Sequence, residues 1–303
     1  MPRSCVSRGF SQIADSGYIS SKSNELNLMF TLNCKDRLLV VDKPLVMGIL
    51  NATPDSFYPG SRFNSTQEVL QQVEKMIREG ADIIDVGGQS TRPGSETLSA
   101  EEELERVIGI IQSIRFNFPN TIISIDTFYS NVAKEAVLAG AAIVNDVSAA
   151  SRDPKMLSVV GNLDVPYVCM HIKGTPATMQ QYTQYENIAK EVLDYFIEKI
   201  ALCRKAGIKD IIIDPGFGFA KNSEQNLLLL KQLSVLKLLD APILCGLSRK
   251  STVYRTLGVT VEEALNGTTV LNTIALLNGA HILRVHDVKE AKEAIKLVEA
   301  YEN

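Results

Sequence analysis

The chain has 303 residues, and its 45% hydrophobic and 22% charged content is ordinary for a globular protein. The formal net charge of −4 argues against a nucleic-acid partner, because nucleic-acid-binding proteins favour basic faces. No window approaches the apolar span of about 20 residues that a membrane helix requires, which argues against a membrane partner.

The five cysteines are scattered along the chain, odd in number and without a C-x-x-C pair. This pattern argues against a disulfide scaffold or a zinc site and favours reduced thiols in the cytoplasm. We therefore predict a cytoplasmic protein. Cys169 and Cys245 lie in apolar runs, which predicts that both are small core residues.

Residues 1–28 differ from the rest of the chain, since they are polar and Ser-rich without an apolar period. They lack the apolar segment of a secretory signal, so we predict a disordered leader. A tag remnant, or a start codon placed before the available Met29, remains an alternative. Residues 29–303 are predicted to form a single domain.

A β-hairpin is predicted next, because strand-like residues 30–34 and 38–41 bracket the polar Lys35, Asp36 and Arg37. From Leu45 onward the pattern of strand, loop and helix repeats. Eight strand-like runs occur near 46–50, 83–86, 121–125, 143–147, 167–170, 211–213, 243–246 and 281–285.

The stretches between these runs have apolar residues at helical spacing, as in the stripe formed by Leu104, Val107, Ile108, Ile111 and Ile114. Two predicted helix starts carry the pattern of a capping box, Ser65 with Glu68 and Ser99 with Glu102, and a closing helix is predicted over 288–301.

Eight β–α units without a break in composition predict an α/β protein, a single (β/α)8 TIM barrel with the N-terminal β-hairpin at the barrel bottom. The length suits this fold, which takes about 250 residues. A doubly wound sheet would also alternate, but no GxGxxG follows the first strand.

Polar residues follow each predicted strand, and the carboxyl ends of barrel strands share one rim. We therefore expect these dispersed residues to converge on one opening. They are Asn51, Thr53, Thr91, Arg92, Asp126, Thr127, Asn145, Asp146, His171, Asp214, Ser248, Arg249, Lys250, Arg284 and His286.

The loop at residues 87–94 (GGQSTRPG) interrupts a buried strand with small, hydroxylated and cationic residues. Its backbone amides can converge on an anion, and Arg92 supplies a planar fork of donors. A plain strand-to-helix turn with a solvated Arg92 is an equally good interpretation of this segment alone.

Five motifs in this order resemble the dihydropteroate synthase family over most of residues 29–303. They are residues 51–57 (NATPDSF), 87–94, 214–219 (DPGFGF), 248–250 (SRK) and 284–286 (RVH). The resemblance implies a pterin-binding catalytic barrel in folate biosynthesis. Such an enzyme condenses 6-hydroxymethyl-7,8-dihydropterin pyrophosphate with 4-aminobenzoate, with Mg²⁺ as cofactor, and releases pyrophosphate. It also implies a homodimer and a site where sulfonamides bind.

The same resemblance implies a role for each matching residue. Asn51 is the expected Mg²⁺ ligand, and the expected catalytic residues are Lys250, Arg284 and His286. The expected diphosphate-binding residues are Thr91, Arg92, Arg284 and His286. The pterin is expected on Asp126, Asn145, Val147, Met170, Asp214 and Lys250, and 4-aminobenzoate on Phe57, Thr91, Pro93, Phe219, Ser248 and Lys250.

Structural roles compete with these assignments when each residue is taken alone. Asp126 and Asp214 fit helix N-caps, Asn145 a loop contact, and Val147 and Met170 ordinary core. Arg284 and His286 share one strand face by alternation and fit a strand end with its charges in water. Phe57 and Phe219 fit staples that pin loops to the rim.

Two positions depart from the family pattern, because Gln89 stands where many bacterial relatives carry Glu, and Ala220 where many carry Gly. Two other functions fit a pterin-binding barrel. They are a barrel that transfers a methyl group from methyltetrahydrofolate to a corrinoid protein, and a non-catalytic pterin-binding protein. Neither needs Thr91, Arg92 and Lys250 for a diphosphate and an arylamine, so these residues favour the synthase.

Overall fold

The computed structural model describes residues 29–52, 62–89, 97–174, 178–179 and 182–303, with the backbone alone for 62–65. Its eight barrel strands are β3 (Leu45–Asn51), β4 (Ile83–Gly87), β5 (Ile122–Asp126), β6 (Ile143–Asp146), β7 (Tyr167–Met170), β8 (Ile211–Asp214), β9 (Leu244–Cys245) and β10 (Ile282–Val285), after a hairpin of β1 (Phe30–Cys34) and β2 (Arg37–Val41). The sheet is parallel in the order β8-β7-β6-β5-β4-β3-β10-β9. A parallel bridge between Ile213 and Ile243 closes it, which confirms the predicted TIM barrel.

The helices follow the strands around the outside of the barrel. They are α1 (Arg62–Glu79), α2 (Ala100–Asn117), α3 (Ser130–Ala139), α4 (Met156–Leu163), α5 (Ile188–Lys205), α6 (Ser223–Lys231), α7 (Ser251–Leu257), α8 (Leu265–Leu277) and α9 (Val288–Glu302), with short 3₁₀ helices at Leu233–Leu239 and Glu262–Ala264. The predicted stripe of α2 buries Val107, Ile111 and Ile114 completely. No helix in the described ranges is both long and apolar enough to span a membrane.

One of the two predicted helix starts is confirmed. The Ser99 hydroxyl accepts from the Glu102 N–H at 3.2 Å, and the Glu102 carboxylate accepts from the Ser99 N–H at 2.8 Å. The start at Ser65 is wrong, because α1 begins at Arg62 and Ser65 lies in its first turn. The capping-box pattern depends only on two residues three positions apart. A serine and a glutamate at this spacing can also lie inside a helix, so the pattern does not fix the helix boundary to the residue.

The hairpin lies at the amino-terminal end of the barrel, as predicted. Leu32, Cys34 and Val41 are buried in one cluster with Leu45 and Met47 from the first barrel strand. The Asn33 N–H donates to Asp210 Oδ2 at 2.6 Å, which ties β1 to the segment before β8. The hairpin therefore covers this end of the barrel. The predicted leader, residues 1–28, lies outside the described residues.

A cavity of about 270 Å³ beside the hairpin is lined by three cations, Lys35, Arg37 and Arg115. Each donates to a backbone carbonyl at the end of a helix or just beyond it: Lys35 to Val137, and Arg37 and Arg115 to Pro119. Cations stabilise helix carboxyl ends, so these contacts have a structural role.

Cys169 and Cys245 are buried in the barrel wall, as predicted.

Candidate active site

The predicted polar residues at the strand ends lie side by side on one rim. Strand register places Asn51 beside Gly87, Gly87 beside Asp126, and Asp126 beside Asn145. All eight strands are parallel, so the segments that follow them emerge at this same edge. Residues from distant parts of the chain are thereby brought to one opening.

Arg284 forms the centre of a charged network at this rim. Its Nε donates to Asp85 Oδ2 at 2.7 Å, and a terminal nitrogen donates to Asp126 Oδ2 at 2.6 Å. The side chain is 20% exposed, so the interpretation of Arg284 as a solvated strand end is wrong. Burial lowers the pKa of Arg284, but Asp85 and Asp126 more than reverse this effect, and the guanidinium stays charged.

Burial raises the pKa of Asp126 to about 7, and the Arg284 guanidinium opposes this rise. Asp126 does not cap a helix, because the N-cap position of α3 is Tyr129. The Asn145 amide donates to Asp85 Oδ2 at 3.0 Å, so Asn145 joins the same network and is not merely a loop contact.

Asp85 is a member of this network that sequence reasoning missed. It is completely buried, and it links Arg284 to Asn145 through one carboxylate oxygen. Its other oxygen, Oδ1, has no hydrogen-bond partner among the described residues. An acid within an apolar strand run was the only signal in the sequence, and it does not identify its partners.

Asp214 and Lys250 form the second charged group of the rim. Asp214 is buried at the end of β8, and its Oδ1 accepts from the Gly216 N–H at 2.7 Å. This is a local turn contact, and the N-cap of α6 is Asn222, so the N-cap interpretation of Asp214 is also wrong. Burial raises the pKa of Asp214, and Lys250 is the strongest opposing charge.

Burial lowers the pKa of Lys250 to about 8, and the Asp214 carboxylate opposes this shift. Its Nζ donates to the Phe217 carbonyl and lies 4.8 Å from the centre of the Phe219 ring. Lys250 also interacts electrostatically with Arg284 and Asp126, so the two charged groups lie within range of one another.

An apolar surface lines the rim near Asp214. Its buried members include Phe128, Val147, Met170, Ile172, Met179, Phe219 and Ala220. This cluster is separate from the main core between strands and helices, so Val147 and Met170 are not ordinary core residues. A flat ring seated between Met170 and Val147 would be desolvated on both faces.

His286 and Ser248 meet just beyond the ends of the neighbouring strands β10 and β9. The Ser248 hydroxyl lies 3.0 Å from His286 Nδ1 and also accepts from the His286 N–H. Burial, and then the Arg284 charge, lower the pKa of His286 to about 4, so the imidazole is neutral at pH 7.

Asn51, the expected Mg²⁺ ligand, is exposed where β3 ends.

The predicted residues Phe57, Thr91, Arg92 and Pro93 lie outside the described residues.

Gln89, one of the two departures from the family pattern, has defined partners. Its side-chain amide donates to Glu103 Oε2 at 3.1 Å, and its amide oxygen accepts from the Leu98 N–H. Glu103 is buried, and burial raises its pKa to about 7. Gln89 thus connects the end of β4 to Leu98 and to Glu103 of α2, a role that motif matching alone did not indicate.

Comparisons with known proteins agree on one group. A family model described as pterin binding enzyme matches residues 47–286. The dihydropteroate synthase of Escherichia coli (strain K12) is 45% identical over 264 residues, which cover 86% of this chain and 93% of that protein. The Yersinia pestis dihydropteroate synthase, solved in a sulfonamide drug complex, superposes with a TM-score of 0.84 at 38% identity, covering 90% of this chain and 99% of that one. The Xanthomonas albilineans enzyme, solved in complex with 7,8-dihydropteroate, gives 0.80 at 36% identity, with 90% and 99% coverage.

Proposed function

This chain belongs to the dihydropteroate synthases of the pterin-binding enzyme family, and from that premise we propose how its rim residues divide the reaction. The enzyme is a transferase of folate biosynthesis that makes 7,8-dihydropteroate from 6-hydroxymethyl-7,8-dihydropterin pyrophosphate and 4-aminobenzoate. The bond from the pterin methylene carbon to the diphosphate oxygen breaks, and the same carbon bonds to the arylamine nitrogen. Pyrophosphate and a proton are released.

The pterin ring occupies the apolar surface beside Asp214. An aminopyrimidinone edge carries adjacent N–H donors, which a carboxylate accepts in pairs. Asp214 supports this role because only its Oδ1 is engaged, by Gly216, among the described residues. Asn145 and Asp126 lie beside this edge, Lys250 reaches the ring carbonyl, and Val147 and Met170 pack on the ring faces.

The diphosphate lies on the Arg284 side, where departure of the leaving group concentrates negative charge. Oriented cations fixed in advance stabilise such charge most effectively. Asp85 and Asp126 hold Arg284 through two of its nitrogens, which leaves further N–H donors for phosphate oxygens. His286 contributes Nε2, because its Nδ1 faces Ser248. Thr91 and Arg92 complete this subsite.

Mg²⁺ is the proposed cofactor, with Asn51 as its protein ligand. The described residues contain no group of three His, Cys, Asp or Glu side chains that could hold a metal. The donors present suit Mg²⁺, which keeps several waters and binds through few protein oxygens plus substrate phosphates. When bound, the ion would neutralise charge on the diphosphate.

4-Aminobenzoate binds above the pterin, against Phe219, Ser248 and Lys250 together with Phe57, Thr91 and Pro93. Its amine is neutral at pH 7, so the attack needs no strong base. The cation–π contact between Lys250 and Phe219 supports this placement, because it puts a charge and a ring at the same opening. Sulfonamides, which target this family, would bind at the same surface.

The observation that carries this assignment is the convergence of Asp214, Lys250 and Arg284 on one rim. Purified protein given pterin pyrophosphate, 4-aminobenzoate and Mg²⁺ should release pyrophosphate and form dihydropteroate in equal amounts. Omitting 4-aminobenzoate should abolish dihydropteroate formation, and removal of Mg²⁺ with EDTA should sharply slow pyrophosphate release. Methyl transfer to a corrinoid protein, or pterin binding without turnover, would contradict the proposal.

A homodimer is the proposed assembly, formed through the helices α6, α7 and α8. On α8, Val270, Ile274 and Leu277 are exposed at helical spacing. Leu257 on the neighbouring α7 and Leu227 on α6 extend this apolar face. Contiguous exposed apolar surface of this kind marks interfaces between proteins.

Replacing Ile274 with glutamate should convert a dimer to a monomer, because the new charge would be buried at the interface without a partner. Sedimentation equilibrium gives the mass of each species. Phe116→Glu is the matched control, since Phe116 is exposed on α2, away from this face, and should leave the mass unchanged. A wild-type protein that sediments as a monomer would overturn the proposal.

The proposed location is the cytoplasm. Cys34, Cys169, Cys203 and Cys245 are all buried free thiols among the described residues, which suits a reducing compartment. Fractionation of cells expressing the protein would test this location, and recovery from an oxidising compartment would contradict it.

A further inference from the structure

Lys221 is a buried lysine that the proposed reaction does not use. It is 3% exposed, directly before the N-cap residue of α6, and it forms no ion pair with any described carboxylate. Its Nζ lies 2.9 Å from His171 Nδ1, 3.0 Å from the Gly216 carbonyl oxygen and 3.1 Å from the Phe219 carbonyl oxygen. Burial lowers the pKa of Lys221, and the Asp214 carboxylate is the strongest opposing charge. In the charged form the three N–H donors of Lys221 are matched by these three acceptors.

His171 is suited to accept from this ammonium group. Burial, and then the charge of Lys221, lower the pKa of the imidazole to about 2, so it is neutral and its Nδ1 is free to accept. The imidazole packs edge-on against the Tyr195 ring, with 4.7 Å between the ring centres, and this contact fixes the orientation of the imidazole. Lys221 therefore connects the segment after β8 to the segment after β7.

The segment between Asp214 and Lys221 depends on such a connection. Gly216, Gly218 and Ala220 all have positive φ angles, of 67°, 82° and 51°. Glycine adopts left-handed backbone without steric cost, whereas at Ala220 this conformation is strained and persists only when surrounding contacts hold it. Lys221 holds the carbonyls of Gly216 and Phe219, which flank this stretch and precede Ala220.

Lys250 also contacts this segment. It donates to the Phe217 carbonyl and faces the Phe219 ring, so both lysines bind backbone carbonyls of the same segment. Asp214 is secured by the pairing of β8 with β7, where it lies opposite Met170, although the Lys221 charge also acts on its carboxylate. Loss of Lys221 should therefore displace Phe219 and Lys250 far more than Asp214.

We propose that Lys221 is a positioning residue for the arylamine subsite: it fixes Phe219 and the Phe217 carbonyl and so orients Lys250 toward 4-aminobenzoate. This inference rests on the proposed placement of 4-aminobenzoate against Phe219 and Lys250. In that placement Lys221 contacts neither substrate, so it acts on 4-aminobenzoate through Phe219 and Lys250.

Lys221→Met removes all three donors at nearly constant length. We expect the KM for 4-aminobenzoate to rise about tenfold or more, while the KM for pterin pyrophosphate changes less than about threefold. Steady-state kinetics with each substrate varied in turn measures both. Lys292→Met is the matched control, because Lys292 pairs with Asp82 at the closed end of the barrel and should alter neither KM.

A second variant, Lys221→Gln, retains two donors without the charge and serves if Lys221→Met does not fold. It should show the same selective rise to a smaller extent. Equal changes in both KM values, no change in either, or failure of both variants to fold would overturn the inference, since Lys221 would then have a general structural role or none. An inactive wild type would instead overturn the proposed function.

Discussion

Replacing Arg284 with alanine should lower kcat/KM for pterin pyrophosphate about ten- to a hundredfold, because one charge-assisted contact to the diphosphate contributes about 1.5–3 kcal/mol. The substitution also leaves Asp85 and Asp126 buried and adjacent without a cation. Breaking a buried ion pair in this way costs about 3–5 kcal/mol of folding free energy. Both steady-state kinetics and chemical denaturation are therefore needed.

Arg284→Lys separates the two effects. It keeps the charge beside the two carboxylates but not the planar fork, so stability should largely recover while diphosphate recognition stays impaired. Arg115→Ala is the control, since Arg115 lies at the closed end of the barrel and should leave kcat/KM unchanged. Unaltered kinetics in Arg284→Ala would contradict its phosphate role.

Asp214→Ala should abolish high-affinity pterin binding while the barrel still folds. Asp214→Asn is the sharper variant, because it keeps an oxygen to accept from the Gly216 N–H and removes only the charge. We expect the Kd for pterin pyrophosphate to rise about tenfold or more in Asp214→Asn, measured by isothermal titration calorimetry. Normal affinity with a normal melting temperature would rule out the assignment of Asp214.

The same substitution should shift the pH dependence of the reaction. The Asp214 carboxylate holds up the pKa of Lys250, which burial lowers to about 8. Without that carboxylate the pKa of Lys250 falls further, so the cationic form is lost at lower pH. The alkaline limb of the kcat/KM profile should therefore move to lower pH in Asp214→Asn. A limb that stays in place or moves upward would show that Lys250 does not act as a cation.

Several features of the fold and site were predictable because their signals are local. Helical and strand periodicity, and the Ser99 capping box, depend on residues a few positions apart, and the structure bears them out. The convergence of Asp126, Asn145 and Asp214 followed from the barrel topology. The position of the hairpin at the closed end was predictable for the same reason. The start of α1 was not, because Ser65 suits the inside of a first turn as well as its boundary.

The barrel, the order of its eight β–α units and the rim on which its polar residues meet all follow from residue patterns along the chain. The pairing of those residues depends on the folded barrel. Arg284 contacts Asp85 from 199 positions away, and Lys221 contacts His171 from 50 positions away. Periodicity and motifs report on neighbours in the chain, whereas a buried charge is stabilised by whichever groups the closed barrel brings within hydrogen-bonding distance.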